Sequence, residues 1–147
     1  MKRALPPTYF LLALIAMALL HLLWPVRRYA GFPFNMVGLV ALVFGVFLNV
    51  VADRQFKRHR TTVKPFEQSA ALVTGFPFSI TRNPMYLGVT LMLLGIALLF
   101  GTVSPLLPVV TFAVLMDMRF IRTEEQMLAE SFGSEWEQYR ARVRRWL

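Results

Sequence analysis

Charged residues are absent from long blocks of this 147-residue chain and crowded into a few short ones. The blocks poor in charge form four apolar segments, at about residues 8–24, 35–52, 84–100 and 105–118, of which only the last contains a charged residue, Asp117. Each segment approaches the ~20 residues that a helix needs to cross the hydrocarbon core of a bilayer. Such a distribution is typical of membrane proteins. We therefore expect an all-α integral membrane protein with about four transmembrane helices.

The Lys and Arg residues predict the orientation of these helices. Of the 16 cations, 14 lie before the first segment, between the second and third, or after the fourth, and only Arg27 and Arg28 lie on the opposite side. The positive-inside bias then places both termini, the loop 53–83 and the tail 119–147 in the cytoplasm. Residues 1–147 are expected to form a single membrane domain, and the short loops favour a prokaryotic plasma membrane.

Composition excludes several functional classes. The chain has no cysteine, which removes disulfides, thiolate metal sites and a cysteine nucleophile. His21 and His59 have no metal-ligand spacing to carboxylates, so no metal is expected. The net charge of +8 would suit nucleic acid, but the cations flank apolar blocks and membrane topology accounts for them better. The glycines form neither a G-x-G-x-x-G motif nor a Walker loop, so no Rossmann domain is expected.

Residues 81–88 place a cation, an amide and a phenol at the start of the third apolar segment. Asn83 suits the N-cap of a helix, and Pro84 suits its first position, where the missing N–H is not needed. The free N–H groups and the positive end of the helix dipole would then face whatever lies beside Arg82. The stretch is either an anion site or a well-capped helix start.

A second polar group lies where the fourth segment ends. Glu124 and Glu125 are close in sequence to Arg119 and Arg122, and Arg122 shares a helix face with Glu125. The group is either an exposed helix end with weak ion pairs or part of a site. Asp117 lies about a turn inside the predicted membrane boundary, where a charge is costly, so either structural pairing or function is expected of it.

The C-terminal tail predicts an amphipathic helix. Trp136, Tyr139, Val143 and Trp146 fall on one helix face, with arginines around the rest, and Gly133 suits a break before them. We expect this helix to lie at the membrane interface, with the aromatic residues at the lipid head groups and the arginines near lipid phosphate.

Five motifs occur in order between residue 61 and the C-terminus. They are Leu72-Val73-Thr74, Arg82-Asn83-Pro84-Met85-Tyr86-Leu87-Gly88, Glu124-Glu125-x-x-Leu128, Phe132-Gly133-x-x-Trp136-x-x-Tyr139 and Arg142-Val143. The ordered set resembles the isoprenylcysteine carboxyl methyltransferase family and the related phospholipid N-methyltransferases. Members of that family are integral membrane enzymes that use S-adenosylmethionine without a Rossmann domain.

The resemblance implies a cofactor site built by the loop before the third segment, the start of that segment and the Glu-Glu helix. Its cofactor residues fall at Ala70, Ala71, Leu72, Val73, Phe78, Asn83, Pro84, Met85, Tyr86 and Glu124, and Arg82 suits the cofactor carboxylate. The arginine that orients the substrate falls at Arg119 or Arg122. An amine acceptor would need a base, for which Glu125 or Asp117 is the best available residue.

The expected function is S-adenosylmethionine-dependent methyl transfer to a lipidated or lipid-like acceptor at the cytoplasmic membrane face. Carboxyl O-methylation of isoprenylcysteine is the leading form, and N-methylation of a phospholipid or small amphiphile is the alternative. Family members that act on prenylcysteine often have His at position 83 and Tyr at position 78, where this chain has Asn83 and Phe78. A non-catalytic membrane adaptor is the alternative from another class. The expected partners are the bilayer and a hydrophobic substrate, without nucleic acid or metal.

Overall fold

The computed structural model describes residues 5–62, 67 and 69–147. Its five α-helices are α1 (Pro6–Leu23), α2 (Val37–Arg58), α3 (Pro84–Phe100), α4 (Leu106–Met116) and α5 (Arg122–Arg142). A 3-10 turn, Phe34–Met36, leads into α2, and a π-helical turn, Asp117–Ile121, joins α4 to α5. Within these described residues β-structure is limited to isolated bridges, so the predicted all-α class is confirmed. The predicted cytoplasmic cations Lys2, Arg3 and Lys64 lie outside the described residues.

The helix boundaries follow local sequence signals. Helix α3 begins at Pro84 and ends at Phe100, as predicted, and Gly101 terminates it with a φ of 68° in the left-handed region. Helix α2 continues through polar residues to Arg58, beyond the predicted apolar segment. In these last turns Lys57 pairs with Asp53, four residues earlier, at 2.5 Å, which supports the helix. By length and composition, Pro6–Leu23 and Phe34–Arg58 are candidates to cross a membrane, and Pro84–Phe100 is apolar but shorter.

Helices α2 and α3 run antiparallel and pack closely because two pairs of glycines remove side chains from their interface. Gly38 faces Gly95, and Gly45 faces Gly88. A Cβ on Gly95 would lie 2.6 Å from the Gly38 carbonyl oxygen, and one on Gly88 would lie 2.7 Å from the Gly45 carbonyl oxygen. On each helix the two glycines are seven residues apart, which is about two turns, so both face the partner helix. Small residues allow this close approach of membrane helices.

We expect Gly88→Ala to lower the free energy of unfolding by about 1–3 kcal/mol, because the added methyl group overpacks the interface between α2 and α3. It would meet the Gly45 carbonyl and the side-chain amide of Asn49. Thermal unfolding in detergent micelles measures the loss. Gly31→Ala is the matched control, since nothing lies within 4 Å of a Cβ at that position. Equal unfolding temperatures for the two variants would contradict the prediction.

The second half of α5 packs against the protein rather than at a membrane interface. Trp136 and Tyr139 are only 1% and 4% exposed, and Val143 is also buried. They pack against α2 and the loop before α3, and the Tyr139 hydroxyl donates to the Phe78 carbonyl oxygen at 2.7 Å. For these three residues the prediction of an interfacial face was wrong, because they belong to the protein core, whereas Trp146, the fourth residue of that face, is partly exposed. The predicted break at Gly133 is confirmed by its φ of 48° and ψ of −117°.

Candidate functional site

A cavity of about 660 Å³ lies between the helices, and all five of them contribute to its walls together with the loop before α3. This volume is within the range of about 300–1,000 Å³ that is typical of small-molecule sites. The polar lining residues lie mainly at the starts of α3 and α5. The apolar lining residues lie further along the helices and include Phe10, Val46, Val89, Met92 and Phe112. The cavity therefore offers both a polar and an apolar environment to one ligand or to two.

Most of the predicted cofactor residues line this cavity. They are Ala71, Leu72, Val73, Phe78, Arg82, Asn83, Pro84, Met85, Tyr86 and Glu124. Ala70 does not belong to the described wall; it is exposed, and its N–H donates to Thr61 Oγ1 at 2.8 Å. The fold thus brings together three sequence segments, the loop, the start of α3 and the start of α5, that the motifs had connected only by resemblance.

Tyr86 and Glu124 form the central polar contact of the cavity. The Tyr86 hydroxyl donates to Glu124 Oε1 at 2.7 Å. Burial raises the pKa of Glu124 to about 7, although the hydrogen bond from Tyr86 opposes the rise. A titratable group with such a raised pKa in a cleft is a candidate functional group. A cation placed beside Glu124 would favour its ionised form, so this carboxyl group is suited to bind one.

Arg82 is already engaged by the protein. Its Nε and Nη2 atoms lie 3.0 and 2.9 Å from Glu125 Oε1, and Nη1 donates to the carbonyl oxygens of Arg140 and Val143 at 3.1 and 2.8 Å. The guanidinium also lies 5.6 Å from the centroid of the Trp136 ring, in a cation–π contact. Few donors remain for the cofactor carboxylate that the sequence assigned to Arg82. The residue instead fastens the end of α5 to the start of α3.

Glu125 lies between two arginines, which opposes its predicted role as a base. Arg145 Nη2 and Nε lie 2.6 and 3.2 Å from Glu125 Oε2, and Nε also lies 3.2 Å from Oε1, the oxygen that Arg82 contacts. Burial alone would raise the pKa of Glu125, but the hydrogen bonds and charges of Arg145 and Arg82 lower it below its ordinary value. A carboxylate stabilised in its charged form accepts a proton poorly. Asp117 is paired as well, with Arg122 at 3.1 Å and Arg145 at 3.2 Å.

Arg119 and Arg122, the predicted substrate arginines, are absent from the described lining of the cavity. Arg119 Nη1 donates to the Tyr9 hydroxyl at 3.0 Å, and Arg122 Nε contacts Asp117 Oδ2 at 3.1 Å. Both arginine side chains are exposed. The π-helical turn changes the register between α4 and α5, so the uniform helical spacing that paired Arg122 with Glu125 on one face does not hold.

The start of α3 presents backbone donors rather than a side-chain cap. Asn83 makes no cap hydrogen bond, and its Nδ2 instead donates to the carbonyl oxygen of Arg145 at 3.1 Å. Asn83 thus occupies the predicted N-cap position, and its carbonyl oxygen accepts the first helical hydrogen bond, from the N–H of Leu87 at 3.0 Å, but the expected side-chain cap is not formed. The first-turn N–H groups of Met85 and Tyr86 have no helical carbonyl partner, as at any helix start. These groups and the positive end of the dipole lie at the cavity wall and are suited to an anion.

Several lining residues were not predicted as part of a site, and they include Asn49, Phe56, Trp136 and Tyr139. Asn49 had a sequence signal, since it is a polar residue within the apolar stretch of α2. Its Nδ2 donates to the Gly45 carbonyl oxygen at 2.9 Å. Trp136 and Tyr139 were assigned to the membrane interface, because helical spacing alone does not distinguish a lipid-facing side from one that packs on the protein. In the described part of the chain, no cluster of three or more acidic or histidine side chains is arranged to hold a metal.

Comparison with known proteins identifies relatives of this cavity-forming region. The sequence profile of the phospholipid methyltransferase family matches residues 34–135. Phosphatidyl-N-methylethanolamine N-methyltransferases from Neurospora crassa and Emericella nidulans are 56% identical over 36 residues and 40% identical over 75 residues. These matches cover 24% and 51% of this chain, but only 17% and 36% of the two fungal proteins. An uncharacterized protein from Haemophilus influenzae is 38% identical over 63 residues, which are 43% of this chain and all of that protein. No solved structure matches the chain.

Proposed function

The chain belongs to the phospholipid methyltransferase family, and we propose that it transfers a methyl group from S-adenosylmethionine to the amine of a phospholipid head group. The observation that carries the proposal is the cavity in which the Tyr86–Glu124 pair lies beside long apolar walls. The sequence motifs predict isoprenylcysteine as the leading acceptor and a phospholipid as the alternative. The family match and the names of the two fungal relatives favour the reverse order.

We place the chain in a membrane with the cavity at the cytoplasmic face. In the two candidate membrane-crossing segments, only 11% and 17% of the residues are buried within the protein, unlike the core helices of a soluble protein. Large apolar side chains such as Leu12, Val40 and Val43 are exposed on them. Lipid would cover this surface, since soluble monomers rarely leave large apolar patches open to water. The proposed four-span topology with both termini inside rests on the four apolar segments and on the distribution of cations.

The residues around the cavity match the groups of S-adenosylmethionine in charge and polarity. Glu124, whose carboxyl group is not paired with an arginine in the described structure, suits the α-ammonium group of the cofactor. The first-turn N–H groups of α3 suit its carboxylate. Leu72, Val73 and Phe78 supply an apolar wall for adenine. When bound, S-adenosylmethionine supplies a methyl group on a positively charged sulfur, and the task of the protein is to hold that group and the acceptor in line.

The apolar part of the cavity favours a lipid acceptor. Residues from four helices contribute to it, among them Phe10, Val46, Met92 and Phe112. Acyl chains bound there would pass from the bilayer to a similarly apolar protein surface, so their transfer would cost little free energy. The head group of the same lipid would then point toward the polar residues at the start of α3. This arrangement brings an amine to the part of the cavity where the cofactor is proposed to bind.

Labelled methyl transfer tests the proposed function. The purified protein is supplied with labelled S-adenosylmethionine in vesicles that contain phosphatidyl-N-methylethanolamine, phosphatidylethanolamine or a prenylcysteine analogue. We expect label in the lipid extract of the first two, and base should not release that label as methanol, because the new bond is to nitrogen. A base-labile product on prenylcysteine alone would instead support O-methylation. Saturable cofactor binding without any transfer would contradict an acceptor of either kind, and no cofactor binding would favour an adaptor.

A further inference from the structure

We propose that Arg145 is a positioning residue of the cofactor site, which holds Glu124 against Tyr86 by joining the three segments that build the site. The proposal rests on the proposed function, because it assigns Arg145 a role toward the methyl donor. Arg145 is the third residue from the end of the sequence and belongs to none of the α-helices. Its contacts nevertheless reach the end of α4, the start of α5 and the residues before α3.

The side chain of Arg145 bridges the π-helical turn between α4 and α5. Its Nη1 donates to Asp117 Oδ1 at 3.2 Å, at the first residue of that turn. Its Nη2 donates to Glu125 Oε2 at 2.6 Å, in the first turn of α5. Because the two carboxylates lie on either side of the turn, the guanidinium fixes the direction in which α5 leaves it. Glu124 immediately precedes Glu125 and therefore moves with this part of α5.

The backbone of Arg145 holds the other partner of the pair. Its carbonyl oxygen accepts hydrogen bonds from Thr81 Oγ1 and from Asn83 Nδ2, each at 3.1 Å. Asn83 is the residue before α3, and α3 carries Tyr86 in its first turn. The positions of Tyr86 and Glu124 thus both depend on the contacts of Arg145. The 2.7 Å contact between them depends on that common attachment.

Because the other ion pairs remain, loss of the Arg145 side chain should disturb the position of Glu124 without unfolding the protein. If the Arg145 side chain is removed, Asp117 keeps its contact with Arg122, and Glu125 keeps its contacts with Arg82. Neither carboxylate is left as an unpaired buried charge, which is the usual reason that losing one partner unfolds a protein. The structural link across the turn is lost all the same. We therefore expect a folded variant in which Glu124 is poorly placed.

Two ligands that differ in the amino-acid part of the cofactor provide the test. S-adenosylhomocysteine carries that part with its ammonium group, whereas 5′-methylthioadenosine lacks it. For Arg145→Gln, calorimetry in detergent micelles is expected to show an affinity for S-adenosylhomocysteine about tenfold lower, as for partial loss of a charged hydrogen bond. The affinity for 5′-methylthioadenosine should change by less than about twofold, because the apolar wall remains. A merely structural role would lower both affinities together.

Two further variants complete the test. Arg142→Gln is the matched control, because the Arg142 side chain is exposed and bonds only the Gln138 carbonyl oxygen of its own helix in the described structure. We expect it to bind both ligands like the wild type. Arg145→Lys keeps the charge without the planar fork and should fall between wild type and Arg145→Gln. Unchanged affinity for S-adenosylhomocysteine in Arg145→Gln, or equal loss of both ligands, would overturn the inference. Absence of S-adenosylhomocysteine binding in the wild type would instead overturn the proposed function.

Discussion

Glu124→Gln is expected to weaken the binding of S-adenosylhomocysteine by about 10- to 100-fold, because a hydrogen bond to a charged group contributes about 1.5–3 kcal/mol. Glutamine keeps the size of the side chain and an oxygen that can accept the Tyr86 hydroxyl hydrogen bond, so the change isolates the negative charge. Calorimetric titration in detergent measures the affinity. Glu135→Gln, at an exposed position of the same helix, is the control and should bind like the wild type. Equal affinity in the two variants would show that the ammonium group binds elsewhere.

The pH dependence of ligand binding is a second test of the role of the Glu124 carboxyl group. Burial raises the pKa of Glu124 to about 7 against the opposing effect of its hydrogen bond from Tyr86, while the neighbouring arginines and the other two carboxylates pair with one another. Because the ionised fraction of Glu124 rises between pH 6 and pH 8, ligand affinity should rise about tenfold over that range. Glu124→Gln should remove most of this dependence.

The folding stability of the ligand-free protein should move in the opposite direction. The folded state holds a proton on Glu124 with a pKa of about 7, whereas the ordinary value of 4.5 applies to the unfolded chain. Between these two values the folded state binds more protons, so this group makes the free energy of unfolding fall as the pH rises. An increase in affinity together with a decrease in stability between pH 6 and pH 7, where the two ranges overlap, would identify one carboxyl group as the cause of both.

Much of the helical framework could be predicted because its signals are local. Pro84 and Gly101 bound an apolar run, and those two residues define where α3 begins and ends. The loop and helix starts that line the cavity were also predicted, since ordered motifs connected them. The close approach of α2 and α3 was missed, although the seven-residue spacing of their glycine pairs is visible in the sequence.

The partners of the charged residues could not be predicted, because they are set by contacts between distant segments. Spacing paired Glu125 with Arg122 on one helix face, whereas the structure pairs Glu125 with Arg82 and Arg145. Arg122 contacts Asp117 instead, five residues earlier, across a π-helical turn that no residue pattern announced. The same limitation affected the tail, where an amphipathic face was assigned to lipid and proved to pack on the loop before α3.

Arg82→Gln is expected to cause the largest loss of stability, about 3 kcal/mol in the free energy of unfolding. The side chains of Arg82 and Glu125 are only 8% and 10% exposed, and losing one partner of a buried ion pair usually costs about 3–5 kcal/mol. The remaining contact of Glu125 with Arg145 places the expected loss near the lower end of this range. The variant also loses the hydrogen bonds that Arg82 donates to the carbonyl oxygens at the end of α5. Denaturant or thermal unfolding in micelles measures the effect.

The control for Arg82→Gln is a surface ion pair at the end of α5 that Arg82 contacts. Arg140 lies 3.5 Å from Glu137, and both side chains are more than half exposed, so Arg140→Gln should cost well under about 1 kcal/mol. A double-mutant cycle with Arg82→Gln and Glu125→Gln then separates the ion pair from the carbonyl contacts, because only the pair produces a coupling energy between the two positions. Losses that simply add, or an Arg82→Gln variant as stable as Arg140→Gln, would show that this pair does not fasten α5 to α3. A large coupling would mean that Arg82, which the sequence assigned to the cofactor carboxylate, instead holds together the helices that form the cavity wall.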